Sequence, residues 1–250
     1  SATPVLTPTP TPPVIVSHPL PAIAYQSLLP GAKNWAIYVM DSNGQNPLRL
    51  TDEKVNAISP VWSPDGAKIA FVSDQDDNFD IWAMNSDGSG PVNLTRNPAQ
   101  DRWPAWSPDG EWVAFASVRD SPYWELYVMR ADGSDVRRIT WWQDASDVAP
   151  AWSPDGKWLA FASRRDGNWE IYIADRDGGN LVRLTVDPAD DTNPTWSPDG
   201  SAIAFESTRT GYADIFLVPV SGGYPVNLSN TPFSSDHGPT WSPDGGSSPS

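Results

Sequence analysis

The sequence predicts an all-β protein, a five-bladed β-propeller built from four-stranded antiparallel blades, and three observations carry that prediction. Trp-Ser-Pro-Asp-Gly occurs five times, at Trp62, Trp106, Trp152, Trp196 and Trp241, spaced by 44, 46, 44 and 45 residues, and a fixed period of that size marks a chain built from one repeated supersecondary unit. Each interval carries the same order of short apolar runs and turns. One run per interval is apolar at consecutive positions, as in Ile69-Ala70-Phe71-Val72, so its strand needs cover on both faces. Radially arranged blades supply that cover.

The unit reads most clearly in the copy that starts before Trp62. Pro60-Val61-Trp62 forms a short strand A. Ser63-Pro64-Asp65-Gly66 then has the chemistry of a tight type I turn. Lys68 to Ser73 (KIAFVS) is strand B, Asp80 to Asn85 (DIWAMN) is strand C, Asp87-Gly88 turns the chain, and Pro91 to Thr95 (PVNLT) is an outer strand D. Strands B, C and D recur as WVAFAS, ELYVMR and VRRIT from 112, 125 and 136, as WLAFAS, EIYIAD and LVRLT from 158, 170 and 181, and as AIAFES, DIFLVP and PVNLS from 202, 214 and 225. Ala24, Ala70, Ala114, Ala160 and Ala204 let neighbouring sheets approach, and Phe71, Phe115, Phe161 and Phe205 fill the opposite side.

The first copy opens directly at strand B (Ala22 to Ser27), while the last Trp-Ser-Pro-Asp-Gly has no strand B after it. The expectation is that a C-terminal strand at about 237–243 pairs in the same blade as the N-terminal strands of 22–51, closing the ring and satisfying an open sheet edge. Residues 22–245 then form one domain. Residues 1–21, with Thr-Pro alternation, read as an extended tether, and residues 246–250 as a flexible Gly/Ser/Pro tail.

Composition limits the function. With 31 acidic and 16 basic side chains the net charge is -15, which repels phosphate backbones and anionic lipid and argues against a nucleic-acid partner. The absence of Cys excludes disulfides and cysteine ligands. No apolar run approaches the roughly 18 residues of a membrane span, so direct membrane insertion is not expected.

The pattern D-x-x-P-x-W-S-P-D-G, I-A-F-x-S, D/E-I-Y-V-M, D-G, L-T closely resembles the TolB-type propeller repeat, a relative of WD-repeat propellers. The resemblance covers residues 22–245, with five copies where TolB-like propellers commonly have six. For a TolB role it implies docking of a peptidoglycan-associated lipoprotein in the periplasm. The repeats also resemble propellers that gate prolyl oligopeptidase-type and tricorn-type peptidases, whose catalytic serine lies in a separate domain. No Gly-x-Ser-x-Gly elbow occurs here, and His18 and His237 support no triad.

Strand polarity places the B-to-C and D-to-A connections on one face, where candidate site residues gather. Asp101, Asp147, Asp191 and Asp236 each stand three residues before the Pro of strand A, with Ala57 in the first such position. Two readings compete. The four carboxylates line the channel mouth and hold Ca²⁺, another cation or a ligand's amine, or they bond turn N–H groups or an Arg of the adjacent B-to-C loop. Arg119, Arg164 and Arg209 belong to a basic and aromatic rim, with Lys33 and Arg165. The aromatics Trp35, Phe79, Trp124, Trp169 and Tyr212 precede strand C on that rim, where rings and Arg forks could hold a peptide or a sugar, and for Trp35, Phe79, Trp124 and Trp169 recurrence in register favours packing between blades. Trp103, Tyr123 and Trp142 break the period and are the expected contact residues.

The leading reading is a non-catalytic, monomeric binding module, periplasmic or extracellular and surface-tethered, recognising a protein, peptide or glycan on the loop-rich face. The alternatives are a glycoside hydrolase using the channel-mouth carboxylates and a sensor or scaffold segment of a larger membrane-linked receptor. No cofactor is required by any motif.

Overall fold

A computed structural model describes residues 22–231 and 233–242 of the 250-residue chain. The expected tether and tail lie outside the described residues. Nineteen strands form five sheets, and no helix is present among the described residues. Blade 1 contains β1 (Ala22–Ser27), β2 (Ala36–Asp41) and β3 (Leu48–Arg49). Blade 2 contains β4 (Ala57–Trp62), β5 (Lys68–Ser73), β6 (Asp80–Asn85) and β7 (Val92–Asn93). Blade 3 contains β8 (Asp101–Trp106), β9 (Trp112–Ser117), β10 (Glu125–Arg130) and β11 (Arg137–Arg138). Blade 4 contains β12 (Asp147–Trp152), β13 (Trp158–Ser163), β14 (Glu170–Asp175) and β15 (Val182–Arg183). Blade 5 contains β16 (Asp191–Trp196), β17 (Ala202–Ser207), β18 (Asp214–Pro219) and β19 (Val226–Asn227). Blades 2 to 5 are four-stranded antiparallel sheets in sequence order, and blade 1 has three strands among the described residues.

The Trp-Ser-Pro-Asp-Gly words are the hairpins joining strands A and B. In the first, Gly66 N donates to Ser63 O (2.9 Å), Ser63 Oγ to Asp65 Oδ1 (2.6 Å), and Lys68 N to Ser63 Oγ (2.9 Å). The Gly has φ 68°, a left-handed conformation that costs a Gly little. Each tryptophan of the word then reaches toward the preceding blade. Trp152 Nε1 donates to Ala105 O, Trp196 Nε1 to Ala151 O (both 3.1 Å) and Trp241 Nε1 to Thr195 O (3.4 Å). Trp62 and Trp106 have buried Nε1 atoms with no partner.

Packing between blades produces the core. Leu159 and Phe161 of blade 4 bury against Trp112, Ala114, Ala116 and Leu126 of blade 3, and Ile203 and Phe205 of blade 5 repeat this against Ala160, Ala162 and Ile171 of blade 4. The small residues of strand B make the approach, as expected. Contact between sheets is close enough that a Cβ on Gly178 (φ +85°) would lie 2.0 Å from Ile139 O of the preceding blade, so the C-to-D turn must be glycine there.

The closing strand differs from expectation. Residues 233–242 carry no strand, and among the described residues β1 pairs only with β2. The segment nevertheless follows blade 5 as each strand A follows its predecessor: Asp236 N donates to Ala213 O (2.6 Å), as Asp191 N does to Trp169 O (2.8 Å). It is held on blade 5 and does not complete a ladder with β1. The residues facing that junction stay exposed. Ile23 is 41% exposed while its counterparts Ile69, Val113, Leu159 and Ile203 are fully buried, and Leu228 is 55% exposed against 8% for Leu94 and Leu184.

Candidate functional site

Strand A is not regular, and its irregularity builds the channel wall. In β4, β8, β12 and β16 the register with strand B shifts between the second and fifth residues, which is a β-bulge. The third residue of each strand has positive φ: Ser59 (54°), Trp103 (55°), Ala149 (53°) and Asn193 (51°), and Gly238 (65°) takes the matching place in the C-terminal segment. A proline follows each one. Proline has no N–H to give to a ladder, so it belongs at such a bulge. These five left-handed residues and Pro60, Pro104, Pro150, Pro194 and Pro239 line a central cavity of about 520 Å³. The Ser59 N–H is taken by Gln26 Oε1 and the Gly238 N–H by Glu206 Oε1, each at 2.6 Å.

The aspartates sit elsewhere. Asp101, Asp147 and Asp191 have no exposed surface. Each is gripped by an arginine eighteen residues later through both carboxylate oxygens. The distances are 3.0 and 3.0 Å for Arg119, 2.9 and 3.0 Å for Arg165, and 2.9 and 2.8 Å for Arg209. Each guanidinium also lies on the ring pair of its own strands B and C, such as Phe161 (5.5 Å) and Tyr172 (4.5 Å) beneath Arg165. Burial pushes Asp101 and Asp191 above the usual carboxylate range, with the paired arginines opposing that shift. These three carboxylates are internal braces and do not line the channel mouth. They therefore do not form the separated acid–base pair that glycoside hydrolysis needs. Blade 2 shows the neutral form of the brace, with Ala57 for Asp and Gln75 for Arg. Its loop is held instead by Asn56, whose N and Nδ2 donate to Asp74 at 2.7 and 2.8 Å.

Asp236 differs from the other three, being partly exposed and accepting from Thr231 Oγ1 at 2.5 Å. Arg119 and Arg209 are committed to the braces, so they are withdrawn from the rim. Arg165, rather than Arg164, pairs with Asp147, and Arg164 lies exposed over Trp169 at 5.6 Å. Among the described residues no three His, Asp or Glu side chains gather as a metal-binding set.

The period-breaking aromatics divide. Trp103 is in the channel wall, edge-on to Trp124 with ring centroids 5.1 Å apart. Trp142 is 43% exposed with Arg165 5.1 Å from its ring, and Tyr123 is 36% exposed. Of the recurring aromatics, Phe79, Trp124 and Trp169 pack against the inter-blade clusters, while Trp35 and Tyr212 are exposed. Ser59, Ala149, Asn193 and the proline ring were not singled out by sequence reasoning. The available signal was a proline inside every strand A, which marks a bulge.

Known proteins place the chain. The model of the TolB beta propeller domain matches residues 1–147 and 143–248. The Tol-Pal system protein TolB of Methylobacillus flagellatus is 49% identical over 51 residues, 20% of this chain and 11% of that protein. The crystal structure of TolB from Acinetobacter baumannii superposes with a TM-score of 0.75 at 28% identity, covering 90% of this chain and 56% of that one. This chain therefore spans little more than half of that TolB. A puromycin-hydrolysing peptidase of Mycobacterium tuberculosis shares the fold at 19% identity, with a TM-score of 0.64 over 86% of this chain and 39% of its own. With five repeats in order and a matching family model along almost its full length, the chain belongs to the TolB beta propeller domain family.

Proposed function

We propose that this propeller is a non-catalytic interaction module that takes an extended protein segment at its central channel, on the face bearing Trp103, Tyr123 and Trp142. One observation carries the reading: the channel wall combines a constant proline frame with side chains that differ at every left-handed position (Ser59, Trp103, Ala149, Asn193, Gly238). A fixed frame with variable contacts suits recognition. Ser59 and Asn193 supply the polar side chains of that wall, which favours a peptide over a glycan, whose hydroxyls need a denser set of donors and acceptors. Asp236, Arg164 and Trp142 form the outer rim in this reading. Membership in a family with Tol-Pal system proteins supports a protein partner and a place in the cell envelope, periplasmic or at the surface.

The test is selection of peptides from a displayed library on the immobilised chain, followed by titration against variants. Trp103→Ala should weaken the selected peptides at least about tenfold, the size of losing one buried aromatic anchor. Peptides that bind Trp103→Ala and Asn193→Ala as tightly as the unchanged chain would refute the channel reading.

A further inference from the structure

On the opposite face, which carries the Ser-Pro-Asp-Gly turns, the grooves between blades 3 and 4 and between blades 4 and 5 hold matching tryptophans, Trp112 and Trp158, with different cover. Between blades 3 and 4 the groove contains Trp112. Its ring is covered by the chain's own arginines, with Arg130 at 4.0 Å, Arg137 at 4.6 Å and Arg176 at 5.7 Å from the centroid. Arg130 is the cross-strand neighbour of Trp112. The indole is 4% exposed.

Between blades 4 and 5 the same place is held by Trp158. Its cross-strand neighbour is Asp175, and the positions matching Arg137 and Arg176 are Val182 and Val220. No arginine covers this ring among the described residues. What remains is a cavity of about 340 Å³ walled by Trp158, Ile173, Trp196 and Val220, with Asp155 and Asp199 of the two flanking turns at its mouth. Asp199 is held at a pKa of about 2 by hydrogen bonds, first from Ser197 Oγ and then from Ser201, so it is ionised at any physiological pH. Lys157 Nζ is 3.1 Å from Asp155 Oδ2 and 75% exposed, placing it at the margin. Asp175 is occupied by its own turn, accepting from Gly179 N (2.7 Å) and Asn180 Nδ2 (3.0 Å).

We propose that this groove is a docking site for an arginine side chain presented by a basic segment of a partner protein, the guanidinium lying on Trp158 between Asp155 and Asp199. The neighbouring groove is the internal template, because there the same aromatic wall is filled by guanidinium groups of this chain. Charge supports it as well: two turn carboxylates line this cavity of about 340 Å³, on a protein of net charge -15. A cation over an indole is favourable, and more so when partly desolvated. This site lies on the face away from the channel mouth and does not depend on what the channel binds.

The test follows the Trp158 indole N–H in ¹⁵N-edited NMR spectra of the whole chain during titration with acetyl-Gly-Arg-Gly-amide, and with the same peptide carrying neutral citrulline. The expected result is a saturable shift at Trp158 that the citrulline peptide needs at least about tenfold higher concentration to produce, and that weakens as salt is raised. Val220→Arg copies Arg176 of the template and should block the shift while leaving the other indole signals in place. Equal binding of the citrulline peptide, or an unchanged titration with Val220→Arg, overturns the proposal.

Discussion

The junction between blades 3 and 4 and the junction between blades 5 and 1 are written in the same residue pattern but differ in burial. Leu159 is fully buried against blade 3, whereas Ile23, its counterpart in blade 1, is 41% exposed. On the other side, β18 alternates, with Ile215 and Leu217 half-buried, where β10 and β14 are buried along their first five residues. A propeller strand is thus apolar on both faces because two neighbours are expected. Whether both are seated depends on strands distant in sequence.

The largest test of that contrast is truncation on each side. Phe161→Ala should cost about 4 kcal/mol in urea unfolding, within the range for a buried phenylalanine, while Ile23→Ala should cost less than about 1 kcal/mol. Equal losses would show that the seam is sealed in solution.

The aspartate braces come next. Asp147 and Arg165 are 0% and 6% exposed at the side chain, so Arg165→Leu leaves a buried carboxylate unpaired and should cost roughly 3 kcal/mol. Converting the pair to the form blade 2 already uses, Asp147→Ala with Arg165→Gln, should restore more than half of that loss. A double variant no better than the single one would mean that the cation's stacking on Phe161 and Tyr172 matters more than its charge pairing.

A smaller effect separates bonded from unbonded indoles. Trp196→Phe removes the bond to Ala151 O and should destabilise by about 1 kcal/mol more than Trp106→Phe, whose Nε1 has no acceptor. Differential scanning calorimetry of the two variants measures this as a difference in Tm.

The smallest effect is a pH dependence of the hairpin turns. Asp199 has its pKa lowered to about 2 from an ordinary 3.8. A depressed folded pKa contributes stability above the unfolded value and loses it as pH falls through the folded one, so the loss is confined to the interval from about pH 4 down to about 2. Ser197→Ala should raise that folded pKa and flatten the acid limb of the stability profile. An unaltered limb would assign acid sensitivity to other groups.

Much of the fold was legible because strands B and C are continuous apolar runs set off by turn words. Their ends, such as 112–117 and 125–130, match the sequence expectation residue for residue. Strand A was legible only from its proline onward. Its true start, at Ala57 or Asp101, is separated from the tryptophan by a bulge that breaks the two-residue period on which strand reading rests. Strand D pairs over two residues per blade, fewer than the apolar run implies.

The site was harder to read because a carboxylate in register fits both a channel mouth and a brace to an arginine of the adjacent loop, and only the burial of Asp101, Asp147 and Asp191 against Arg119, Arg165 and Arg209 decides between them. The repeat did hold a clue: the one copy with Ala57 in place of Asp also has Gln75 in place of Arg, and residues lost together are partners. The closing segment shows the same limit. Counting copies implied a closing strand A at about 237–243, but no count shows whether β1 receives it.

The left-handed residue and proline of each bulge have a consequence for how such a molecule diversifies. Ser, Trp, Ala, Asn and Gly already stand at equivalent positions around one collar without altering the backbone that carries them. Trp103 and Ala149 also pack against the inter-blade clusters, whereas Ser59, Asn193 and Gly238 do not belong to them. The collar is a five-letter word whose letters differ while the spelling frame stays fixed, so the lining of the channel can be rewritten without rebuilding the backbone that carries it.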